Sequence, residues 1–220
     1  MLVHGAWYGG WCWRKLTPLL AQAGCEVHTP TLTGLGERAH LGSRETSLQT
    51  HVQDVQAVLQ MHDLRNVILV GHSYAGMLIS LLAERERERI RRLVYLDAFV
   101  PEDGRCVVDY LLPLERREAL VKVGAETGFV PPVPATALGV TDAADLAWIN
   151  ARVVRQPFAT FNEPARLVAP AGAALPRTYI ACTAPASGSF GQFADKVRSD
   201  PSWQFKELRT GHNAMLTAPQ

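Results

Sequence analysis

The feature that most constrains this chain is an apolar strand pattern that runs into a serine-centred turn and continues as an apolar helix. Residues 67–70 form the strand pattern, GHSYAG forms the turn around Ser73, and residues 77–82 begin the helix. Gly71 and Ala75 are small enough for the backbone to double back around a strained serine, although Ala75 departs from the second glycine of GxSxG. The pattern predicts a nucleophile elbow with Ser73 as nucleophile; a serine that only caps the helix is the alternative.

Short apolar runs alternate with helical patterns along most of the chain, which predicts an α/β fold with a mostly parallel sheet. Between the second and third predicted strands, apolar residues recur at helical spacing over residues 48–59. Six strands are predicted, at residues 2–3, 25–29, 66–70, 92–96, 178–182 and 203–208.

The alternation stops over residues 101–170, where prolines, short apolar helices and acidic patches mix. Long excursions from compact domains usually carry lids or binding loops, so we predict a helical cap there, with a plain surface insertion as the alternative. Residues 1–100 and 171–220 then form the catalytic core.

Composition excludes several classes of protein. The 220 residues carry a formal net charge of +1 and are 47% hydrophobic, which argues against disorder and against a nucleic-acid partner. No apolar run reaches the roughly 18 residues of a spanning helix, and the N-terminus lacks the pattern of a signal peptide, so we expect a cytoplasmic protein without a membrane partner. The sequence leaves the oligomeric state open and allows a homodimer. Four scattered cysteines predict free, mostly buried thiols and no zinc site.

A serine hydroxyl needs a base to take its proton, and the chain offers seven histidines. We select His212, because it follows the last predicted strand at the carboxyl edge of the sheet, where a loop can reach the elbow. His72 lies inside the elbow and is expected to point away from the site.

The acid that would orient this histidine is harder to select. The strand before the histidine loop is followed by no carboxylate until Asp195, which is predicted to lie on a helix. Asp97 ends the preceding apolar strand, beside the elbow, and keeps the chain order of serine, acid and histidine. We therefore select Asp97, with Asp195 and a capping role for Asp97 left open.

The oxyanion-binding groups and the pocket are predicted from the turn after the first strand. The N–H groups of Ala6 and of Tyr74, the residue after the serine, are the candidate oxyanion donors. His4 is interpreted as a scaffold of this turn. Trp7 and Phe99 are candidate substrate contacts in an apolar or aromatic pocket, although core packing explains each of them equally well.

Four segments together, VHGAWYGGWCWRKLTPLL, GHSYAG, YLDAFVP and TGHNAMLTAP, resemble the α/β hydrolases grouped with plant methyl-ester esterases and hydroxynitrile lyases, and especially bacterial carboxylesterases. The resemblance implies the α/β-hydrolase fold, a helical cap, no metal or cofactor, and small esters as substrates. This chain lacks the acid that the plant members have near Ala184. That departure favours Asp97, because in haloalkane dehalogenases an acid four residues before a proline follows the equivalent strand. Asn213 stands where the rubber-tree lyases have a lysine, which weakens the lyase interpretation.

The expected activity is hydrolysis of small carboxylic esters by a serine esterase. A lactonase or thioesterase with the same catalytic residues, a hydroxynitrile lyase, and a non-enzymatic ligand-binding protein on this fold are the alternatives.

Overall fold

The architecture is a parallel sheet flanked by helices. A computed structural model describes residues 1–173, 175–185 and 188–220. In that part of the chain the main sheet has five parallel strands, and two short antiparallel strands form a separate ribbon. The strands are β1 (Leu2–Val3), β2 (Val67–His72), β3 (Ile90–Leu96), β4 (Phe129–Val130), β5 (Gln156–Pro157), β6 (Arg177–Cys182) and β7 (Trp203–Leu208). The main sheet is ordered β1-β2-β3-β6-β7, so the carboxyl ends of all five strands meet at one edge.

The described part of the chain contains eight α-helices. They are α1 (Thr17–Gln22), α2 (Leu48–Met61), α3 (Ala75–Arg85), α4 (Leu114–Thr127), α5 (Ala143–Asn150), α6 (Ala159–Asn162), α7 (Gly188–Arg198) and α8 (Ala214–Thr217). A capping box starts α2, in which the Ser47 hydroxyl accepts from the Thr50 N–H. The apolar residues that predicted α2 are fully buried, namely Leu48, Val52, Val55 and Leu59. Gly24, just beyond α1, has φ of +81°, the left-handed conformation expected where a helix ends in glycine.

The strand predicted at residues 25–29 is wrong. This segment is not a strand, although it runs beside β1 and the Leu2 N–H donates to the His28 carbonyl at 2.8 Å. Cys25 and Glu26 are exposed, so little burial favours a longer ladder at this edge of the sheet. The other five predicted strands are present, with ends displaced by at most two residues.

Residues 101–170 leave the main sheet between β3 and β6. They contain α4, α5, α6 and the β4–β5 ribbon, in which Phe129 pairs with Pro157. We call this stretch the insertion; its role as a separate cap remains a prediction. No helix in the described ranges has the length and hydropathy needed to span a bilayer, and the cellular compartment also remains a prediction.

Candidate active site

Ser73 occupies a strained turn between β2 and α3. Its φ is +55°, in the left-handed region where residues other than glycine cost roughly 1–3 kcal/mol. The Ser73 N–H donates to the Leu96 carbonyl at 3.2 Å, and the Ser73 carbonyl accepts from the Phe99 N–H at 3.1 Å. Two backbone hydrogen bonds to the end of β3 therefore hold this conformation.

Small residues around the serine allow the turn to close. A Cβ at Gly71 would lie 2.8 Å from the Ala75 carbonyl oxygen, and a Cβ at Gly76 would overlap the Phe99 carbonyl oxygen. Ala75, which departs from the second glycine of GxSxG, is fully buried. The position at the start of α3 that has no room for a side chain is Gly76.

The structure brings His212 and Asp97 together. The His212 Nδ1–H donates to Asp97 Oδ2 at 2.6 Å, and both side chains are buried. Asp97 follows β3 with φ of +42°, and its other oxygen accepts from the Cys182 N–H at 3.2 Å. Because Nδ1 carries the proton, Nε2 of the neutral ring is left as an acceptor. Asp195 lies on α7, in agreement with the predicted helix; it is exposed and does not line this site.

His72 does not point away from the site, contrary to the expectation from sequence. Its Nε2–H donates to the His212 carbonyl at 2.9 Å, and its ring centroid lies 4.5 Å from that of His212. Phe190 also stacks on the His212 ring, at 4.6 Å and 16°. Complete burial, with His212 nearby, lowers the pKa of His72 far below its usual value, so it acts as a neutral donor. His212 is thus fixed by its ring and by its backbone.

The turn after β1 packs directly against the serine. A Cβ at Gly5 would lie 2.9 Å from the Ser73 Cβ, so glycine is required for this approach. Within the described residues, neither the Ala6 N–H nor the Tyr74 N–H donates to a protein acceptor. Both amides therefore remain available for a substrate oxygen.

His4 supports this turn from the core, in agreement with its interpretation as scaffold. Its Nδ1–H donates to the Gly5 carbonyl at 2.8 Å, and its Nε2 accepts from the Leu32 N–H at 3.1 Å. Burial lowers the pKa of His4 to about 4, so the ring is neutral at physiological pH and can accept as well as donate.

The predicted site residues other than Asp97 border one cavity of about 620 Å³, a volume that includes its open mouth. Ser73, His212, Ala6, Tyr74, Trp7 and Phe99 all line it, so every predicted site residue except the buried Asp97 reaches the same space. The insertion supplies its apolar wall, formed by Val107, Leu111, Leu120, Val133, Leu138 and Phe161. Arg116 on α4 adds one cation to the lining.

The wall residues are functional candidates that the sequence did not reveal. They come from several short elements of the insertion, none of which has a motif. A lone leucine or valine carries no signal that separates a wall of a cavity from ordinary core. The contact of His72 with His212 was equally hidden, because it joins residues 140 positions apart.

This combination of a parallel sheet, a strained serine after β2 and a histidine after the last strand is characteristic of one class of protein. The model of the alpha/beta hydrolase family matches residues 1–220, and the chain belongs to that family. A carbendazim hydrolyzing esterase from Nocardioides sp. (strain SG-4G) is 40% identical over 229 residues, covering 100% of this chain and 94% of that protein. The chain is therefore an esterase-like α/β hydrolase.

Two further relatives cover less of the chain or are more distant. Salicylic acid-binding protein 2 from Nicotiana tabacum is 36% identical over 103 residues, which is 46% of this chain and 40% of that protein. The structure of an extracellular α/β-hydrolase from a Paenibacillus species has a TM-score of 0.85 at 23% identity, covering 99% of this chain and 93% of that one. The second similarity supports the fold alone.

Proposed function

We propose that the protein is a serine carboxylesterase that hydrolyses small esters with an apolar or aromatic part. The observation that carries the proposal is the buried His212–Asp97 pair, in which His212 lines the same cavity as the strained Ser73. A histidine oriented by a carboxylate, beside a serine at an elbow, is the arrangement that activates a hydroxyl for acyl transfer.

In the proposed reaction, Ser73 Oγ attacks the ester carbonyl carbon while His212 Nε2 takes the hydroxyl proton. The Ala6 and Tyr74 N–H groups donate to the oxyanion, and Asp97 stabilises the imidazolium. Collapse of the tetrahedral intermediate breaks the bond between the carbonyl carbon and the alkoxy oxygen. The alkoxy group takes the proton from His212 and leaves as the alcohol. Water then attacks the acyl-enzyme by the same route and releases the carboxylic acid.

The lining of the cavity supports the substrate class. Apart from Arg116 and the polar catalytic candidates, the wall consists mainly of aliphatic and aromatic side chains. Such a surface favours apolar acyl or alcohol groups, with orientation left to the few polar atoms near the serine. We propose that the insertion acts as a cap that supplies this specificity.

The test is steady-state hydrolysis of p-nitrophenyl esters from acetate to octanoate, with carbendazim as a further substrate because of the relative that is named for hydrolysing it. The parent should hydrolyse at least the short esters. Ser73→Ala should lower kcat by on the order of a millionfold, to background. An inert parent, or a Ser73→Ala variant with turnover like the parent's, would contradict the proposal.

Other activities remain as alternatives with distinct readouts. A lactonase or thioesterase would use the same residues, so only a comparison of lactone, thioester and ester substrates separates them. A hydroxynitrile lyase would release cyanide from a cyanohydrin, which a colorimetric assay detects; Asn213 after the histidine argues against it. A ligand-binding protein would retain affinity for an aromatic acid with very slow turnover.

A further inference from the structure

Trp7, the residue after the proposed oxyanion donor Ala6, is held by the insertion. Its φ is +68°, a left-handed conformation that needs support in a residue other than glycine. The Trp7 N–H donates to Gln156 Oε1 at 3.0 Å, and its carbonyl accepts from the Val154 N–H at 3.1 Å. Its indole Nε1–H donates to the Val130 carbonyl at 3.1 Å. Three hydrogen bonds therefore tie this one residue to the β4–β5 region.

Gln156 is the only one of these three partners that acts through its side chain, and its orientation is fixed. It is fully buried, and its Nε2 donates to Thr160 Oγ1 at 2.7 Å. The Thr160 hydroxyl donates in turn to the Pro157 carbonyl at 2.7 Å, so it can only accept from Gln156. The amide nitrogen must therefore face Thr160, and the amide oxygen must face Trp7.

The peptide planes on both sides of Ala6 are then anchored. The peptide that carries the Ala6 N–H also carries the Gly5 carbonyl, which accepts from His4. The next peptide carries the Trp7 N–H, which donates to Gln156. The direction of the Ala6 N–H is thus set by one hydrogen bond from the core and one from the insertion.

We propose that Gln156 is a positioning residue for oxyanion binding: it touches no substrate, but it aims the Ala6 N–H at the substrate oxygen through the Trp7 peptide. This inference rests on the proposed esterase function. It means that the insertion contributes to the chemical step as well as to the walls of the cavity. Oxyanion donors stabilise the transition state more than the ground state, so a misdirected donor lowers kcat and leaves KM largely unchanged.

The test is Gln156→Met, which keeps an unbranched side chain of similar length and removes the acceptor. We expect kcat for p-nitrophenyl esters to fall roughly 10- to 100-fold, a fraction of the loss caused by deleting a donor outright, with KM changed by less than about threefold. The matched control is Gln53→Met, the same substitution at an exposed position on α2, which should keep the parent kcat.

A second measurement separates positioning from a general loss of structure. An aryl trifluoromethyl ketone forms a tetrahedral adduct with the serine and needs the oxyanion donors, whereas the product alcohol, p-nitrophenol, has no carbonyl oxygen to place on them. The affinity of Gln156→Met for the ketone should fall by a factor similar to that for kcat, with inhibition by p-nitrophenol unchanged. The pH dependence of kcat/KM should keep its midpoint, because the His212–Asp97 pair is untouched.

If Gln156→Met does not fold, Thr160→Val provides the second test, because it keeps Gln156 but frees the amide to rotate. Thr160→Val should also lower kcat, by a smaller factor. If the parent is an active esterase and a folded Gln156→Met variant keeps the parent's kcat and ketone affinity, the role of Gln156 is refuted and the proposed function is not. A parent inert towards all esters would refute the proposed function, and this role with it.

Discussion

The helix that follows the serine turn and a helix that lines the cavity differ sharply in how they are held. Nine of the eleven residues of α3, which follows Ser73 and Tyr74, are buried. Only one of the fourteen residues of α4, Gly124, is buried, although α4 supplies Arg116 and Leu120 to the lining. The helix behind the proposed nucleophile is therefore built into the core, whereas Arg116 and Leu120 of the cavity wall lie on a surface helix.

The polar contacts of α4 lie at the surface and are correspondingly weak. Arg117 forms an ion pair with Asp109 at 3.2 Å, and Arg44 donates a hydrogen bond to the Glu126 carbonyl. Two apolar side chains of the helix, Leu114 and Val123, are exposed. Surface ion pairs of this kind are worth at most about 1 kcal/mol. Substitutions on α4 can therefore alter substrate selection at little cost in stability, whereas substitutions around α3 affect folding and catalysis together.

The largest contrast is expected at Asp97. Asp97→Asn removes the charge that stabilises the imidazolium of His212 and permits the wrong tautomer, so kcat should fall about 10⁴-fold. The control is Asp195→Asn on the exposed face of α7, which should match the parent in the same p-nitrophenyl assay. If the two variants exchanged these outcomes, Asp195 and not Asp97 would be the acid.

The next contrast is between the core and the insertion in how their stability responds to pH. All seven histidines lie outside the insertion, so the core should carry the response. Burial lowers the pKa of both His4 and His51 from 6.5 to about 4. Between pH 6.5 and about pH 4, histidines in the unfolded chain bind protons that the same histidines in the folded core do not. The free energy of unfolding therefore falls as the pH drops through this range. At pH 5 the loss is on the order of 2 kcal/mol for each histidine.

Urea unfolding at pH 7 and pH 5 measures this effect. His51 accepts from the Tyr74 hydroxyl at 3.1 Å and donates to the Thr33 carbonyl at 2.8 Å, roles that a neutral ring can fill. A His51→Gln variant, which cannot gain a proton, should show a smaller pH dependence than the parent, and the part that remains should come from the buried His4 and His72. An equal free energy of unfolding at both pH values in the parent would contradict the assignment of neutral, buried histidines.

A smaller effect, on stability, is expected from one methyl group on α3. Gly76→Ala would drive a Cβ into the Phe99 carbonyl oxygen, so α3 must shift away from the end of β3 at a cost of about 1–3 kcal/mol. Gly191→Ala on α7 meets nothing within 4 Å and should instead stabilise by about 0.5–1 kcal/mol. Thermal unfolding of both variants measures whether a methyl group lowers stability on α3 and raises it on α7.

The same division explains which parts of the structure could be predicted from the sequence. Strand ends and the elbow around Ser73 depend on neighbouring residues, so local patterns were sufficient to locate β2, α3 and the placement of Asp97 at the end of β3. The bond from Gln156 to Trp7 spans 149 positions and depends on the path of the insertion, which no local pattern specifies. The strand prediction at residues 25–29 failed for a related reason, since pairing of this edge segment depends on how much of it other parts of the chain bury.

The smallest expected effect lies on α4, where the wall can be altered without touching the chemistry. Leu120→Ala removes apolar surface from the cavity, so KM for p-nitrophenyl octanoate should rise by about three- to tenfold, as expected for roughly 1 kcal/mol of lost burial. Leu114→Ala is the matched control, because Leu114 lies on the same helix, is 57% exposed and does not line the cavity. Its KM and kcat should equal those of the parent. A fall in kcat for Leu120→Ala at constant KM would mean that α4 acts on the reacting atoms, and the two sides of the site would then not be separable as wall and chemistry.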